Sequence, residues 1–515
     1  MNIYGIIRHN AYYDSVSLMQ ISRAVEDIEG VDAAMVCMGT QLNKDLLKDA
    51  GLLTEEFASS KPSDLVIAYR TAKADLESLV LETVEAKLNA KQEDKDVDEQ
   101  DPTSVGSAVK RYPESNLVLV SLPGQYAARE VRKALNKNLH VMLFSDNVRI
   151  DEELELKQLA HEKGLLMMGP DCGTAIINGK GLCFANEVRK GRIGIVGASG
   201  TGLQEVTVLI DRLGGGVSQA LGTGGRDLSY EIGGIMMLDA YRALEQDPNT
   251  EVILLLSKPP VKEVELKIIA EVKKGQKPSI ICFLNSELSD ISDRIYGCNT
   301  LEQAAVKAVE LEMNKTVVLE DFDTIANVDL ASWKANVSKD QKYLRALYCG
   351  GTVCDEAAYI ASTQLNKQDV YSNVGKVTRL SDPYHSVKHS FIDLGDDNFT
   401  VGKPHPMIEP SLRNARLIQE AKDKETAVIL FDVEIGYGSH VEPTEVVLEA
   451  VREAKQIAKA DKREIKFVAY VLGTDKDYQS LDKQLRLLKQ EGVHVASSNA
   501  RAARLAIDLV GGLNA

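Results

Sequence analysis

The 515-residue sequence predicts an α/β protein built of several parallel-sheet layers, and three observations carry that prediction. Short apolar runs rich in Val, Ile and Leu alternate with longer stretches whose apolar residues recur every three or four positions. The turns between them are short, so helices must serve as the crossovers and the strands run parallel. Aromatic residues are scarce at 5% against 44% hydrophobic residues overall, the profile of strands buried on both faces.

The pattern is sharpest at residues 192–213. A strand marked by Ile193, Ile195 and Val196 breaks at Gly197, and the small turn Ala198-Ser199-Gly200-Thr201-Gly202 follows. Leu203, Val206, Leu209, Ile210 and Leu213 then mark one buried helix face. A helix that opens on Ser199, Gly200, Thr201 and Gly202 presents uncovered N–H groups and the positive end of its dipole, which suits phosphate or carboxylate. The next strand, near 218–221, ends in a second glycine turn where Gly224, Gly225 and Arg226 would meet an anion at the same carboxyl edge. The alternative is that both turns only close tight βα connections.

Before this stretch, strands are expected at 3–7, 31–38 and 64–68, with helices at 15–28 and 71–88, giving a small α/β domain over 1–88. Arg8 and His9 follow its first strand without any glycine, so no phosphate loop is expected there. Residues 89–114 hold an acidic, proline-terminated run and read as a linker. A βαβ unit over 115–187 comes next, with strands at 117–121, 140–144 and 165–168 and helices at 126–135 and 152–162. Its connecting turns carry Pro123, Ser145, Pro170, Cys172 and Gly173, and a hairpin is expected within 176–184.

The unit over 188–315 continues with helix 235–246, strand 252–256, the turn Ser257-Lys258-Pro259-Pro260, helix 264–274, strand 279–284 and helix 301–312. Residues 316–341, with the lone Trp333, read as a connection. The last unit, 342–515, repeats the strand–glycine–Thr–helix grammar at Gly350-Gly351-Thr352. His405 and His440 follow separate strands of this unit and are candidate catalytic residues, grouped with Lys403, Glu409, Asp432 and Glu442. They lack a local chelating spacing, so no metal is assigned. Cys354 lies in a first helical turn, where the choice is between a thiol activated by the dipole and a buried inert one.

A net charge of −16 speaks against nucleic-acid binding. No apolar run approaches a membrane span, and seven scattered cysteines without a C-x-x-C pair suit a reducing, cytoplasmic setting. The expected ligands are small anions with phosphate.

Residues 115–285 resemble the alpha subunit of succinyl-CoA synthetase through S-L-P-G-Q-Y, M-M-G-P-D-C-G-T, G-I-V-G-A-S-G-T-G and L-G-T-G-G-R-D. The final unit is similar to the CoA-ligase domain of the beta subunit. With Y-C-G-G-T-V-C-D-E-A, V-G-K-P-H-P-M-I-E-P and D-V-E-I-G-Y-G-S-H-V-E-P, the whole chain resembles the FdrA family of acyl-CoA synthetase-like proteins. The resemblance implies Rossmann-like and flavodoxin-like domains, a substrate or phosphate site at Ser199, Gly200 and Thr201, and CoA-contacting turns at Pro123, Ser145, Pro170, Cys172 and Gly173. It also implies work within a multi-subunit or oligomeric assembly.

The sequence departs from the synthetase in three ways. The G-H-A-G-type loop carrying its phosphorylated histidine has no counterpart, and no histidine occurs between His161 and His385. The glutamate that steadies that histidine would fall in Ser257-Lys258-Pro259-Pro260, which has none. No ATP-grasp domain is visible. The FdrA resemblance implies an oxamate carbamoyltransferase subunit in purine and allantoin nitrogen catabolism, and the two glycine turns, with Ser199 and Arg226 as candidate catalytic residues, offer the oxyanion donors, phosphate holder and cation for a substrate carboxylate that such a transfer needs. An acyl-CoA synthetase that borrows its phosphorylation, with CoA as cofactor, is the alternative, and a non-catalytic scaffold binding CoA or an anion is the third.

Overall fold

The computed structural model describes residues 2–514 except 10, 12, 14, 74–75, 90–101, 287 and 401–403, so most of the acidic run and Lys403 lie outside the described residues. Two units emerge, residues 1–101 with 400–404, and residues 102–399 with 405–515.

The first unit is built on an antiparallel sheet of order β1-β3-β2: β1 (Asn2–Arg8), β2 (Val31–Met38) and β3 (Leu65–Thr71). Its helices are α1 (Ser15–Glu26), α2 (Gln41–Asp49), α3 (Glu55–Ala58) and α4 (Glu77–Asn89). The helix expected from 71 begins only at Glu77, because pairing with both neighbours carries β3 through Thr71. Leu18, Ile21, Val25, Val80 and Val84 pack α1 and α4 onto one face of the sheet.

The second unit opens with α5 (Val105–Arg111) and a small parallel sheet, β4 (Leu117–Val120), β5 (His140–Leu143) and β6 (Met167–Met168). Helices α6 (Gly124–Asn136) and α7 (Ile150–Glu162) cross between these strands. The antiparallel hairpin β7 (Thr174–Ile177) and β8 (Lys180–Cys183) then joins the edge of a seven-stranded sheet of order β13-β12-β11-β9-β10-β7-β8. Its parallel strands are β9 (Lys190–Gly197), β10 (Val217–Gly222), β11 (Val252–Ser257), β12 (Ser279–Phe283) and β13 (Ile295–Gly297). Helices α8 (Gly200–Arg212), α9 (Ile235–Gln246), α10 (Lys262–Val272) and α11 (Leu301–Met313) cover it. The short strand β13 was not legible as a separate apolar run.

Residues expected to form only a connection hold α12 (Leu330–Asn336), whose Trp333 is buried and donates from its indole to Glu464 O at 3.4 Å. A second seven-stranded sheet follows, order β16-β15-β17-β14-β18-β19-β20. Its strands are β14 (Tyr343–Tyr348), β15 (Val370–Ser372), β16 (Thr378–Arg379), β17 (His389–Asp393), β18 (Thr426–Glu434), β19 (Lys466–Leu472) and β20 (His494–Ala496), all parallel. Its helices are α13 (Gly351–Gln364), the short α14 (Asp397–Thr400), α15 (Ser411–Lys422), α16 (Pro443–Ala460), α17 (Leu481–Gln490) and α18 (Asn499–Asn514).

One apolar core joins the two large sheets. Leu203, Val206 and Leu209 of α8, Ala304 and Ala308 of α11, Val353 and Ala357 of α13, and Ala503 and Leu509 of α18 all belong to it. Facing helices this rich in alanine approach closely, and polar bridges finish the seam. Arg212 donates to Val471 O and Gly473 O at 2.7 Å each and to Ser497 O at 3.0 Å. Buried Glu205 accepts from Tyr470 Oη and from Asn499 N. Asn186 donates to Ile435 O at 2.7 Å and to Asp477 at 2.9 Å.

The fold class therefore stands, with antiparallel exceptions in the first sheet and at the β7–β8 edge. In both large sheets the helix leaving the central strand, α8 after β9 and α13 after β14, starts where neighbouring strands diverge in order, the position at which open α/β sheets place ligands.

Candidate functional site

The turn after β9 and the turn after β14 face each other. Ser199 caps α8 by accepting from Gly202 N at 2.9 Å, and its hydroxyl donates to Thr352 Oγ1 at 2.6 Å. A Cβ placed on Gly350 would lie 2.6 Å from Thr201 Cγ2, so two backbones meet at a spacing that only glycine permits there. The N-termini of α8 and α13 thus converge, with Ser199, Gly200, Thr201 and Gly202 on one side and Gly350, Gly351 and Thr352 on the other.

Four side chains complete this seam. Thr174 is buried, its hydroxyl lacks a hydrogen-bond partner among the described residues, and it lies 3.4 Å from the position a Gly200 Cβ would take. Lys258, half-buried in the turn after β11, brings Nζ within 3.2 Å of the Cβ position of Gly351. Asp393, at the end of β17, brings Oδ2 within 2.6 Å of that same point. Burial pushes the Asp393 carboxyl up to about 7 against the opposing charge of Lys258. Asp355, in the second turn of α13, is also raised by burial and leaves Oδ2 without a hydrogen bond. None of these four was singled out as a site residue from sequence. A carboxylate at a strand's carboxyl end is the signal that would have found Asp393.

At the second glycine turn the arginine is already engaged. Arg226 turns toward α7, with Nη2 2.8 Å from Glu153 Oε2 and 2.7 Å from Val148 O. Asp227 accepts from Met236 N and Met237 N at the start of α9, and buried Lys157 bridges Asp227 and Glu153 at 2.8 and 3.0 Å. Arg226 therefore carries a paired charge, not the free one that its glycine setting suggested. Gly224 has φ +84° and packs on Gly169 and Pro170, and a Cβ placed on Gly225 would lie 3.6 Å from Asp171 Oδ2.

The turns named for CoA do come together. Ser145 Oγ accepts from Leu122 N at 3.0 Å, one residue before Pro123, and Ser145 O accepts from Asp171 N at 2.9 Å, one residue after Pro170. Gly173 O accepts from Phe184 N at 2.9 Å. Cys172 contributes backbone only. Its thiol is buried, faces Thr174 O and Gly222 O, and is pushed up to about 12.

His405 and His440 are linked through Met407, whose N–H donates to His405 Nδ1 at 3.2 Å and whose carbonyl accepts from His440 N at 2.8 Å. The His405 ring lies 6.3 Å from that of Phe184, and Nε2 points at Gly395, two residues beyond Asp393. Burial lowers His405 to about 4 and lowers His440 as well, leaving both imidazoles neutral near pH 7. Below them, Cys349, Asp432 and Glu434 hold sulfur and two carboxylates within 4.8 Å of one another. Arg413 already stands there, donating to Asp432 O at 2.6 Å and lying 3.4 Å from Cys349 Sγ. Burial and the Asp432 charge push Glu434 well above the carboxylate range, so the trio reads as a charge-compensated core. Cys354 is fully buried and raised well above the usual thiol range by that burial, so it is the inert alternative.

Comparison with known proteins now decides the family. The chain is 49% identical over 514 residues, 99% of each chain, to the uncharacterized protein YahF of Escherichia coli K12. It belongs to the FdrA family. Family models match a CoA-ligase domain at residues 347–509, a CoA binding domain at 188–284 and an "AllF, heavy metal-associated domain" at 1–104. Succinate–CoA ligase subunit alpha 2 of Archaeoglobus fulgidus is 28% identical over 157 residues, 30% of this chain and about half (53%) of that one. The malate–CoA ligase subunit alpha of Methylorubrum extorquens is 28% identical over 139 residues, covering 25% and 46%. Among solved structures, the dinucleotide-forming acetyl-coenzyme A synthetase 1 of Ca. Korarchaeum cryptofilum aligns over 81% of this chain and 87% of its own, at 12% identity and TM-score 0.32.

The first large sheet of this FdrA-type chain thus matches a CoA binding domain and the second a CoA-ligase domain. The chain's first unit does not fit the metal that the family name evokes. Among its described residues Cys37 is the one cysteine, buried and pushed up to about 12, and His9 Nδ1 sits 3.1 Å from Asp64. No helix among the described residues is long and apolar enough to cross a membrane.

Proposed function

We propose that this FdrA-type chain is the subunit of a carbamoyl or acyl transferase that works through an acyl phosphate, and that its reaction is phosphorolysis of oxalurate. The observation that carries the reading is the 2.6 Å contact between Ser199 and Thr352, which aims two helix N-termini at one point in a sequence with no histidine between His161 and His385. An anion held there would be free, not bonded through phosphorus to an imidazole nitrogen.

In this reaction an oxygen of hydrogen phosphate bonds to the carbamoyl carbon of oxalurate. The bond from that carbon to the amide nitrogen breaks, and the proton of hydrogen phosphate ends on the nitrogen. Oxamate and carbamoyl phosphate leave. The helix N–H groups stabilise charge developing on the phosphoryl and carbonyl oxygens. Asp393, raised to about 7, holds an exchangeable proton near neutrality and suits the transfer to nitrogen. Arg226, already paired with Glu153, is a poor holder for the substrate carboxylate in this scheme.

The test is oxamate formation by the purified assembly, the chain with its co-purifying subunits, from oxalurate. Oxamate release that depends on added phosphate supports the reading, and absence of that dependence sinks it. The convergence of the Pro123, Ser145, Pro170 and Gly173 turns, together with the CoA binding and CoA-ligase matches, favours a second reading. In it the chain is an acyl-CoA synthetase whose phosphoryl group comes from a partner. Tight CoA binding with no response to oxalurate would select it.

A further inference from the structure

We infer that Lys258 is the counter-charge for a phosphoryl dianion held between the N-termini of α8 and α13, making this seam a non-covalent phosphate or acyl-phosphate site. The inference rests on the proposed anion-binding role of the two turns and adds the residue that selects the ligand.

Lys258 reaches the seam because β11 lies beside β9 in parallel register, Leu256 opposite Gly197, and Ala198 N donates to Leu256 O at 3.0 Å. The loops after the two strands therefore leave from one edge. Pro259 and Pro260 follow at once, and their fixed φ stiffens the backbone that carries the lysine. Its Nζ stands 3.2 Å from the Cβ position of Gly351, the first residue of α13.

An ammonium over a helix N-terminus is an unfavourable arrangement in a protein without ligand, since both carry positive charge. The carboxyl of Asp393, which approaches the same point, is itself raised to about 7 by burial and so offsets that charge only in part near neutrality. Among the described residues Lys258 forms no hydrogen bond or ion pair, although its charge is felt by Asp355 and Asp393. Two buried polar atoms at the same seam lack partners as well, Thr174 Oγ1 beside Gly200 and Asp355 Oδ2 on α13. Two helix N-termini, a free ammonium and an unpaired hydroxyl donor are completed together by one multivalent oxyanion. A phosphoryl group offers three oxygens and two charges, whereas a carboxylate offers two oxygens and one. The unpartnered Asp355 oxygen suits the hydroxyl of hydrogen phosphate or the amide of a carbamoyl group, either of which donates.

The test is calorimetric titration of inorganic phosphate, and separately of carbamoyl phosphate and acetate, into the full-length chain, Lys258→Met and Lys258→Arg. The expected result is phosphate binding by the parent chain, about ten-fold or more weaker in Lys258→Met and recovered to within a few-fold in Lys258→Arg, with acetate affinity little changed. Thermal midpoints equal to the parent's show that the variants fold. Phosphate binding that is identical in the parent and Lys258→Met overturns the inference while leaving the anion site standing. No phosphate binding by the parent overturns both.

Discussion

Ser199 Oγ donates to Thr352 Oγ1 at 2.6 Å across 153 residues of sequence, and in doing so ties the start of α8 to the start of α13. The same oxygen accepts from Gly202 N, so one hydroxyl both caps its own helix and closes the seam.

Ser199→Ala is expected to cost about 1 kcal/mol of stability, the usual loss for an N-cap, with weaker phosphate binding as well. Ser199→Asp separates the two roles. Its carboxylate can cap α8, so the urea midpoint should stay near that of the parent, yet it places negative charge where the anion would sit. Phosphate affinity retained in Ser199→Asp would count against an anion at this turn.

Gly350→Ala would press a methyl group to within 2.6 Å of Thr201 Cγ2. A destabilisation of about 1–3 kcal/mol is expected from such overpacking. Thr201→Gly removes the colliding atoms, so Gly350→Ala introduced into that background should cost much less. Urea unfolding of the four chains of this cycle gives the coupling directly. Equal costs in both backgrounds would mean that the two turns do not touch.

Glu205 is fully buried against Tyr470 and Asn499, and burial raises its carboxyl from 4.5 to about 8. A folded pKa above the unfolded one means that the native state binds this proton more tightly. The stabilisation is complete below the unfolded pKa of 4.5 and is lost as pH rises through about 8. Glu356, raised to about 7, acts in the same direction. Glu205→Gln imitates the protonated acid and should flatten the fall in thermal midpoint between about pH 5 and pH 9. A variant that loses stability with pH as steeply as the parent would refute this assignment.

Arg212 spends its guanidinium on the carbonyls of Val471, Gly473 and Ser497. Arg212→Met is expected to cost about 2–4 kcal/mol, because part-buried acceptors at the seam lose a charged donor. Arg212→Lys should recover only part of this, since an ammonium lacks the fork that spans three carbonyls. Guanidinium unfolding measures both, and full recovery by lysine would show that charge alone suffices.

What could be read from the chain was what depends on near neighbours. The period of Leu203, Val206, Leu209 and Ile210 follows from helix geometry, and the glycine turns at 197–202 and 350–352 announce themselves by composition, so the α/β class and the first half of the site were legible. The family resemblance added the implied roles of the Pro123, Ser145 and Gly169–Gly173 turns. The end of β3 at Thr71 and the burial of Trp333 were not legible, because each is set by pairing or packing with residues far along the chain. Arg226 was misleading for the same reason. Its glycine setting suggested a free cation, but the partner that claims it, Glu153, sits on a helix whose placement no local pattern encodes.

The sequence by itself determined most of the long elements, the parallel sense of the central strands in the large sheets and the turns able to meet an anion, since backbone geometry and side-chain period are local properties. Only the tertiary structure decided that the two glycine turns share one seam and that Lys258, Asp393, Asp355 and Thr174 gather around it. Those positions come from two sheets packing their helices into a common core, and the energy of that packing belongs to contacts made across hundreds of residues.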